Sequence, residues 1–186
     1  MQLFKRVKNK IIKQDFEVVE NFLDQENLNH LKIFFMSPRS QWRFKDSLVD
    51  TDKQKKDGYF VHSFRDIHPI TFKDVLPISP NYSVLFNFME KLKNKVNFKQ
   101  ILRIRASLFP RREYLKADTF HVDYPINHKV CIFYINSNNG YTLFKSGEKV
   151  DSIENRLLIF DGLKEHATVV QTDKPARYII NINYLT

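Results

Sequence analysis

From residue 101 onward the chain alternates. Between Ile101 and Phe109, Leu102, Ile104, Ala106 and Leu108 point one way; Arg103, Arg105, Ser107 and Phe109 point the other. That period of two is the pattern of a strand with one apolar and one mixed face. Thr119–Tyr124, Val130–Asn136, Tyr141–Phe144, Arg156–Phe160, Ala167–Gln171 and Arg177–Tyr184 read as further strands, and Ser-Asn-Asn-Gly at 137–140 is the turn chemistry that joins two of them. Before residue 100 the period is different. A short strand, Phe16–Phe22, leads to Asp24, whose carboxylate can cap a helix over Gln25–Met36; Leu28, Leu31 and Phe35 share one face of that helix and Pro38 ends it. Trp42–Phe44 and Tyr59–Phe64 read as strands separated by a polar stretch. Tyr82–Val96 predicts a second helix, with Val84, Phe88, Leu92 and Val96 repeating every four residues and Leu85 and Met89 beside them.

Two helices and a few early strands therefore precede a strand-rich half. The expectation is a mainly β domain with flanking helices, a sandwich or barrel buttressed by them. One domain spans 1–186, with a helical and early-strand part over about 1–100 and a barrel core over about 101–186. The polar residues on one face of the late strands predict a wet interior, which is where a site is to be sought.

Composition narrows the picture. Apolar residues make up 42% of the chain, with 17 Phe and only 4 Gly, which excludes disordered and collagen-like chains. A single cysteine, Cys131, excludes a disulfide framework and a cysteine-based zinc site, and suits a reducing, cytoplasmic setting. No run of 18 apolar residues is present, so no transmembrane helix is expected and no membrane partner. The first 13 residues carry five basic and no acidic side chains without an apolar signal core, and read as a basic first element of the domain. The net charge of +9 favours an acidic partner. Eight basic and no acidic residues fall between Lys91 and Arg112. They carry the alternative reading, a non-catalytic module holding an acidic partner or nucleic acid, although no nucleic-acid-reading motif accompanies them.

Of the six histidines, His121 stands in the triplet His-Val-Asp. On a strand, residues i and i+2 point to one face roughly 7 Å apart, so His121 and Asp123 can converge on one cation, and an imidazole with a carboxylate suits a first-row metal. His166, between Arg-Leu-Leu-Ile-Phe-Asp-Gly and Ala-Thr-Val-Val-Gln, is placed to be a third ligand. Two His and one Asp leave open positions, as in non-haem Fe(II) sites, whereas structural zinc wants four closed ligands. Arg177 opens the last alternating strand, eleven residues after His166. A guanidinium inside a barrel needs an anion. Alone, an acid of the chain would be its expected partner; beside a metal triad, a carboxylate-bearing cosubstrate fits better.

HVDYP, KVCIFYIN, NGYTLF, NRLLIFDGLKEHATVVQ and ARYIININY follow one another in the order seen in 2-oxoglutarate- and Fe(II)-dependent oxygenases. The chain resembles the prolyl 4-hydroxylase-like branch of that superfamily, and FEVVENFLDQENLNHLKIFF is similar to that branch's opening strand and helix. The resemblance runs over roughly residues 16–184. It implies a double-stranded β-helix, or jelly roll, with helices packed on one sheet. It implies a dioxygenase that hydroxylates a peptidyl residue or small molecule with release of succinate and CO2, using Fe(II), 2-oxoglutarate as cosubstrate, O2, and ascorbate as a reductant. His121, Asp123 and His166 would bind the metal, and Arg177 the distal carboxylate of 2-oxoglutarate. Tyr134 matches the strand tyrosine that helps hold that carboxylate, and Thr142 and Thr168 match positions lining the cosubstrate pocket.

The substrate side departs from the branch. Phe109 stands where prolyl hydroxylases often carry a tyrosine, and Arg105 points to the same face; Arg105, Asn181 and Asn183 are the candidates to meet substrate or cosubstrate. The polar stretch Asp46–Gly58, with four Asp, three Lys and only Leu48 and Val49 apolar, sits where related hydroxylases carry a lid.

Overall fold

A computed structural model describes residues 15–38, 40–46 and 58–186. The basic first segment and nearly all of the stretch expected as a lid lie outside the described residues. The elements in chain order are β1 (Phe16–Val19), α1 (Gln25–Phe35), β2 (Arg43–Lys45), β3 (Tyr59–Ile67), β4 (Asp74–Leu76), α2 (Phe86–Val96), β5 (Gln100–Pro110), β6 (Lys129–Tyr134), β7 (Tyr141–Phe144), β8 (Lys149–Asp151), β9 (Arg156–Asp161), β10 (His166–Val169) and β11 (Ala176–Leu185). Helix α1 starts where the sequence puts it, because the Asp24 carboxylate accepts from the Asn27 amide. Helix α2 is preceded by a 3-10 turn over Tyr82–Leu85 and ends at Asn97, which takes the left-handed conformation at φ 37°. Among the described residues no helix is long and apolar enough to cross a membrane.

The larger sheet runs β1-β9-β6-β11-β5-β3-β2, with β4 paired to β3. The smaller runs β10-β7-β8. All pairings are antiparallel. The expected strand at Thr119–Tyr124 is not one. Ala117 and His121 each make a single bridge to β10, to Val169 and to His166, and no ladder forms between them. Strands β4 and β8, three residues each, were too short for alternation to reveal.

The larger sheet has a core on each face. On one, Leu28, Leu31 and Phe35 of α1 and Phe88, Met89 and Leu92 of α2 pack against Cys131, Phe133, Ile180 and Ile182. On the other, Ile132, Tyr134, Leu158 and Ile179 meet Phe144, Val150 and Val170 of the smaller sheet and its flanks. Alternation along β6 thus sends Phe133 to the helices and Tyr134 between the sheets. The Cys131 thiol is pushed up to about 12 by burial, so it serves as packing and not as a nucleophile. The result is two facing antiparallel sheets with helices on the outer face of the larger one, the double-stranded β-helix expected from the sequence.

Candidate active site

The site begins with a backbone bridge. His121 and His166 exchange both amide hydrogen bonds, His121 N to His166 O and the reverse, each at 3.0 Å. Residues paired directly across an antiparallel bridge show their side chains on one face, and the two rings lie 4.8 Å apart between centroids. Each ring is held at Nδ1, which donates to a carbonyl two residues back: His121 to Thr119 at 3.0 Å and His166 to Lys164 at 3.1 Å. A carbonyl only accepts, so Nδ1 carries the proton and Nε2 keeps its lone pair free. Burial lowers the pKa of His166, against the pull of Asp123, and favours the neutral ring that a metal requires.

Asp123 completes the group. One ligand atom from each of His121, Asp123 and His166 lies within 4.8 Å of the others. Its carboxylate is held from three sides. Arg103 Nη2 donates to Oδ1 at 2.5 Å, while Asn183 Nδ2 at 2.7 Å and Asn181 Nδ2 at 3.2 Å donate to Oδ2. Burial opposes ionisation and is the largest single influence, but Arg103, His166, Asn183 and His121 together outweigh it and keep the carboxyl far below the usual range. An ionised carboxylate has about four acceptor sites. Three are filled, so one is left for a cation, and the trio fits a monodentate-carboxylate, two-histidine metal site with open positions.

A cavity of about 270 Å³ opens beside the trio, walled also by Tyr59, Arg105, Ser107, Phe109, Thr168 and Asn181. Arg105 reaches Asp66 Oδ2 at 3.4 Å. Asn183 does not line the cavity. It is fully buried, and its Nδ2 donates to Asp123.

Arg177 lies deeper, on the same strand face as Ile179, and is 0% exposed. Its Nε donates to Ser152 Oγ at 2.7 Å and Nη1 to Val169 O at 3.5 Å, while buried Nη2 has no partner. The guanidinium packs over Phe109 and Tyr134, 5.7 and 5.6 Å from their ring centroids. No carboxylate among the described residues pairs with it, and Asp118, which acts on it at longer range, is bound to Arg112 at 2.8 Å. Burial pulls the Arg177 pKa down, with the Tyr134 side chain resisting. A buried cation left this way costs several kcal/mol of desolvation, on the order of that for any unpaired buried ion, a cost that a bound anion would offset. Tyr134 and Thr142 stand beside it, their hydroxyls 2.8 Å apart, and Thr142 pairs in register with Thr168 on the cavity wall. Arg177, Tyr134, Thr142 and Thr168 are thus brought together, with only Thr168 on the open wall.

Three residues escaped the sequence reading. Arg103 shares the alternating face of Arg105, which was a usable signal. Ser152 follows a strand too short to detect. Tyr59, on β3, stacks on Phe109 at 5.2 Å and lines the cavity with Arg105, bringing a tyrosine to the cavity although Phe109 replaces the expected one. The basic stretch Lys91–Arg112 does not make one surface. Arg103 and Arg105 enter the cavity, Arg112 is tied to Asp118, and Lys95 pairs with Glu17 on the far side.

No family model and no curated protein sequence matches the chain. Solved structures do. A 2OG-Fe(II) oxygenase family oxidoreductase from Burkholderia pseudomallei superposes with a TM-score of 0.71 at 9% identity, covering 93% of this chain and 86% of that one. A prolyl hydroxylase from Trichoplax adhaerens, in complex with a hypoxia-inducible-factor oxygen-degradation-domain peptide, gives 0.64 at 13% identity, covering 93% and 84%. HygX from Streptomyces hygroscopicus, with nickel and 2-oxoglutarate bound, gives 0.56 at 9% identity, covering 91% and 82%. The chain shares the fold of these oxygenases over nearly its whole length.

Proposed function

We propose that this chain is a 2-oxoglutarate- and Fe(II)-dependent dioxygenase that hydroxylates a C–H bond of a peptidyl residue or small molecule. The observation that carries the reading is the pairing, in one barrel, of a convergent His121–Asp123–His166 trio with a buried Arg177 that no acid among the described residues pairs with. HygX, of the same fold, holds nickel and 2-oxoglutarate, and the Trichoplax enzyme holds a peptide, so both ligand classes are compatible with such a barrel. Fe(II) bound by the trio and 2-oxoglutarate together supply the oxidation: with one O2, 2-oxoglutarate becomes succinate and CO2 while the substrate C–H becomes C–OH.

The protein's own part is to place and to charge. Nε2 of His121 and His166 face the metal position because Thr119 and Lys164 carbonyls hold the opposite nitrogens. Arg103, Asn181 and Asn183 keep Asp123 ionised and fixed in orientation. Arg177 clamps the distal carboxylate through its unpartnered Nη2, with the Tyr134 and Thr142 hydroxyls as further donors. Phe109, Ile132 and Ile179 give the cavity its apolar wall and keep water from the reacting carbon.

The test is succinate formation from 2-oxoglutarate with Fe(II), ascorbate and O2, together with 2-oxoglutarate binding to the Ni(II)-loaded protein. Arg177→Gln should weaken that binding by about 2–5 kcal/mol while Ni(II) binding persists. His121→Ala and His166→Ala should lose Ni(II). Metal binding by both histidine variants at parental affinity, or 2-oxoglutarate binding that ignores Arg177, overturns the assignment.

A further inference from the structure

A second group of cations lines the cavity, apart from Arg177. In the β5–β11 register Arg177 stands opposite Phe109, and Asn181 opposite Arg105. Four residues of strand separate the two levels, roughly 13 Å. The metal trio lies at the Arg105 level, since Asp123 is held by Arg103, Asn181 and Asn183. Arg105 therefore stands at the level of the trio, with Lys45 also on the cavity wall, and Arg177 stands apart from both.

Charge and geometry distinguish this group from a settled ion pair. Among the described residues, the cavity cations Lys45, Arg103 and Arg105 are opposed by Asp123 and Asp66 alone. A divalent ion and a dianionic 2-oxoglutarate would cancel each other, and the cationic excess would persist. Arg105 is incompletely satisfied. Its contact to Asp66 Oδ2 is 3.4 Å, long beside the roughly 2.7–2.9 Å of a charge-assisted bond. Asp66 is shared with the Tyr124 hydroxyl, at 3.3 Å, and buried Arg105 Nε has no partner. Tyr59 lines the same space beside Arg105, and its O–H is a donor available there.

Resting on the function proposed above, we infer that the hydroxylated substrate carries a carboxylate that Arg105 and Tyr59 bind, at the level of the metal trio and not at that of Arg177. The cavity of about 270 Å³ admits a small acid or one acidic side chain. The target C–H then lies a few bonds from that carboxylate, because the anchor and the metal trio share one level of the barrel.

Matched probes test this on protein loaded with Zn(II), with and without 2-oxoglutarate, by ligand-observed NMR. One set is N-acetyl amino acids against their carboxamides; the other is blocked hexapeptides with a central Glu or Asp against Gln or Asn. The acid member should bind about tenfold more tightly than its amide in at least one set, and which set responds tells a free acid from a peptide side chain. Arg105→Gln should abolish the preference while 2-oxoglutarate affinity stays within about twofold. Because Arg105→Gln leaves Asp66 without its partner, the Arg105→Gln/Asp66→Asn double variant is measured beside it and should behave alike. Equal binding of acids and amides by the parent overturns the inference, as does a preference that survives both variants. Loss of 2-oxoglutarate affinity in both would make Arg105 a cosubstrate contact and overturn it too. Should the parent fail to bind 2-oxoglutarate at all, the proposed function falls, and the acid preference on the Zn(II) protein still reports on Arg105.

Discussion

Arg103 and Asp123 form a near-buried ion pair inside the metal-ligand cluster, Nη2 to Oδ1 at 2.5 Å, with side chains 13% and 6% exposed. Asp123 is thus already compensated before any metal arrives. Removing one partner of a buried pair typically costs about 3–5 kcal/mol, because the other charge is left behind. Arg103→Gln should therefore destabilise the metal-free protein by about that amount. Ni(II) supplies positive charge at the same carboxylate, so it should raise the melting temperature of Arg103→Gln more than that of the parent. Equal metal-induced shifts would show that Arg103 and the metal do not share Asp123.

Tyr134 is predicted to act on the cosubstrate and not on the metal. Its hydroxyl lies 2.8 Å from Thr142 Oγ1 beside the Arg177 guanidinium. Tyr134→Phe deletes one donor to a charged ligand, worth about 1.5–3 kcal/mol. Titration calorimetry on the Ni(II) protein should show 2-oxoglutarate affinity reduced about tenfold or more, with Ni(II) affinity unchanged. A parallel loss of both would mean the substitution had disturbed the barrel.

His62 sets a pH dependence away from the site. Its Nδ1 donates to the Gln41 carbonyl at 2.8 Å, and Nε2 pairs with Ser79 Oγ at 3.0 Å. Burial lowers its pKa below the ordinary 6.5, with the Gln41 hydrogen bond and Arg43 as lesser influences of opposite sign. The unfolded chain then takes up its proton first as pH falls. The stability that His62 contributes is present above about pH 6.5 and is lost as pH drops through the lowered folded value. Urea midpoints should fall below pH 6.5 in the parent and fall less steeply in His62→Gln. Parallel curves would remove His62 as a source.

Asn155 locks the link between β1 and α1. Its side chain accepts from Leu23 N and donates to Leu23 O, both at 2.8 Å, and its backbone takes φ +64°. Asn155→Ala strands two buried backbone groups at about 1–3 kcal/mol each and puts a Cβ-bearing residue without a compensating side chain in left-handed conformation. Asn155→Gly loses the same bonds but not the conformational term, so it should be less destabilised than Asn155→Ala by about 1 kcal/mol. Chemical denaturation of both variants checks the order. An Ala variant as stable as the Gly variant would mean that the conformation at 155 carries no cost.

Local period and capping chemistry made much of this molecule legible in its residues. The strand character of β5, β6 and β11 followed from alternation, the start of α1 from Asp24, and the inward face of Tyr134 from its offset to Phe133. The chemical types at His121, Asp123, His166 and Arg177 pointed to a metal and an anion without coordinates. What the sequence could not decide was which residues share a level of the barrel. Alternation puts Arg103 and Arg105 on one face and treats them as equals; only the pairing of Arg103 with Asn183 and of Arg105 with Asn181 separates the one that holds Asp123 from the one that reaches Asp66. Alternation likewise gave the face of Asn183, and only the tertiary structure shows that its side chain holds Asp123. Single bridges at 117 and 121 replaced the strand expected there, because pairing with β10 is a contact between segments distant in sequence. Face is a local property of a strand, set by every second residue. Register is a property of two strands, set by the pairing that the whole fold imposes.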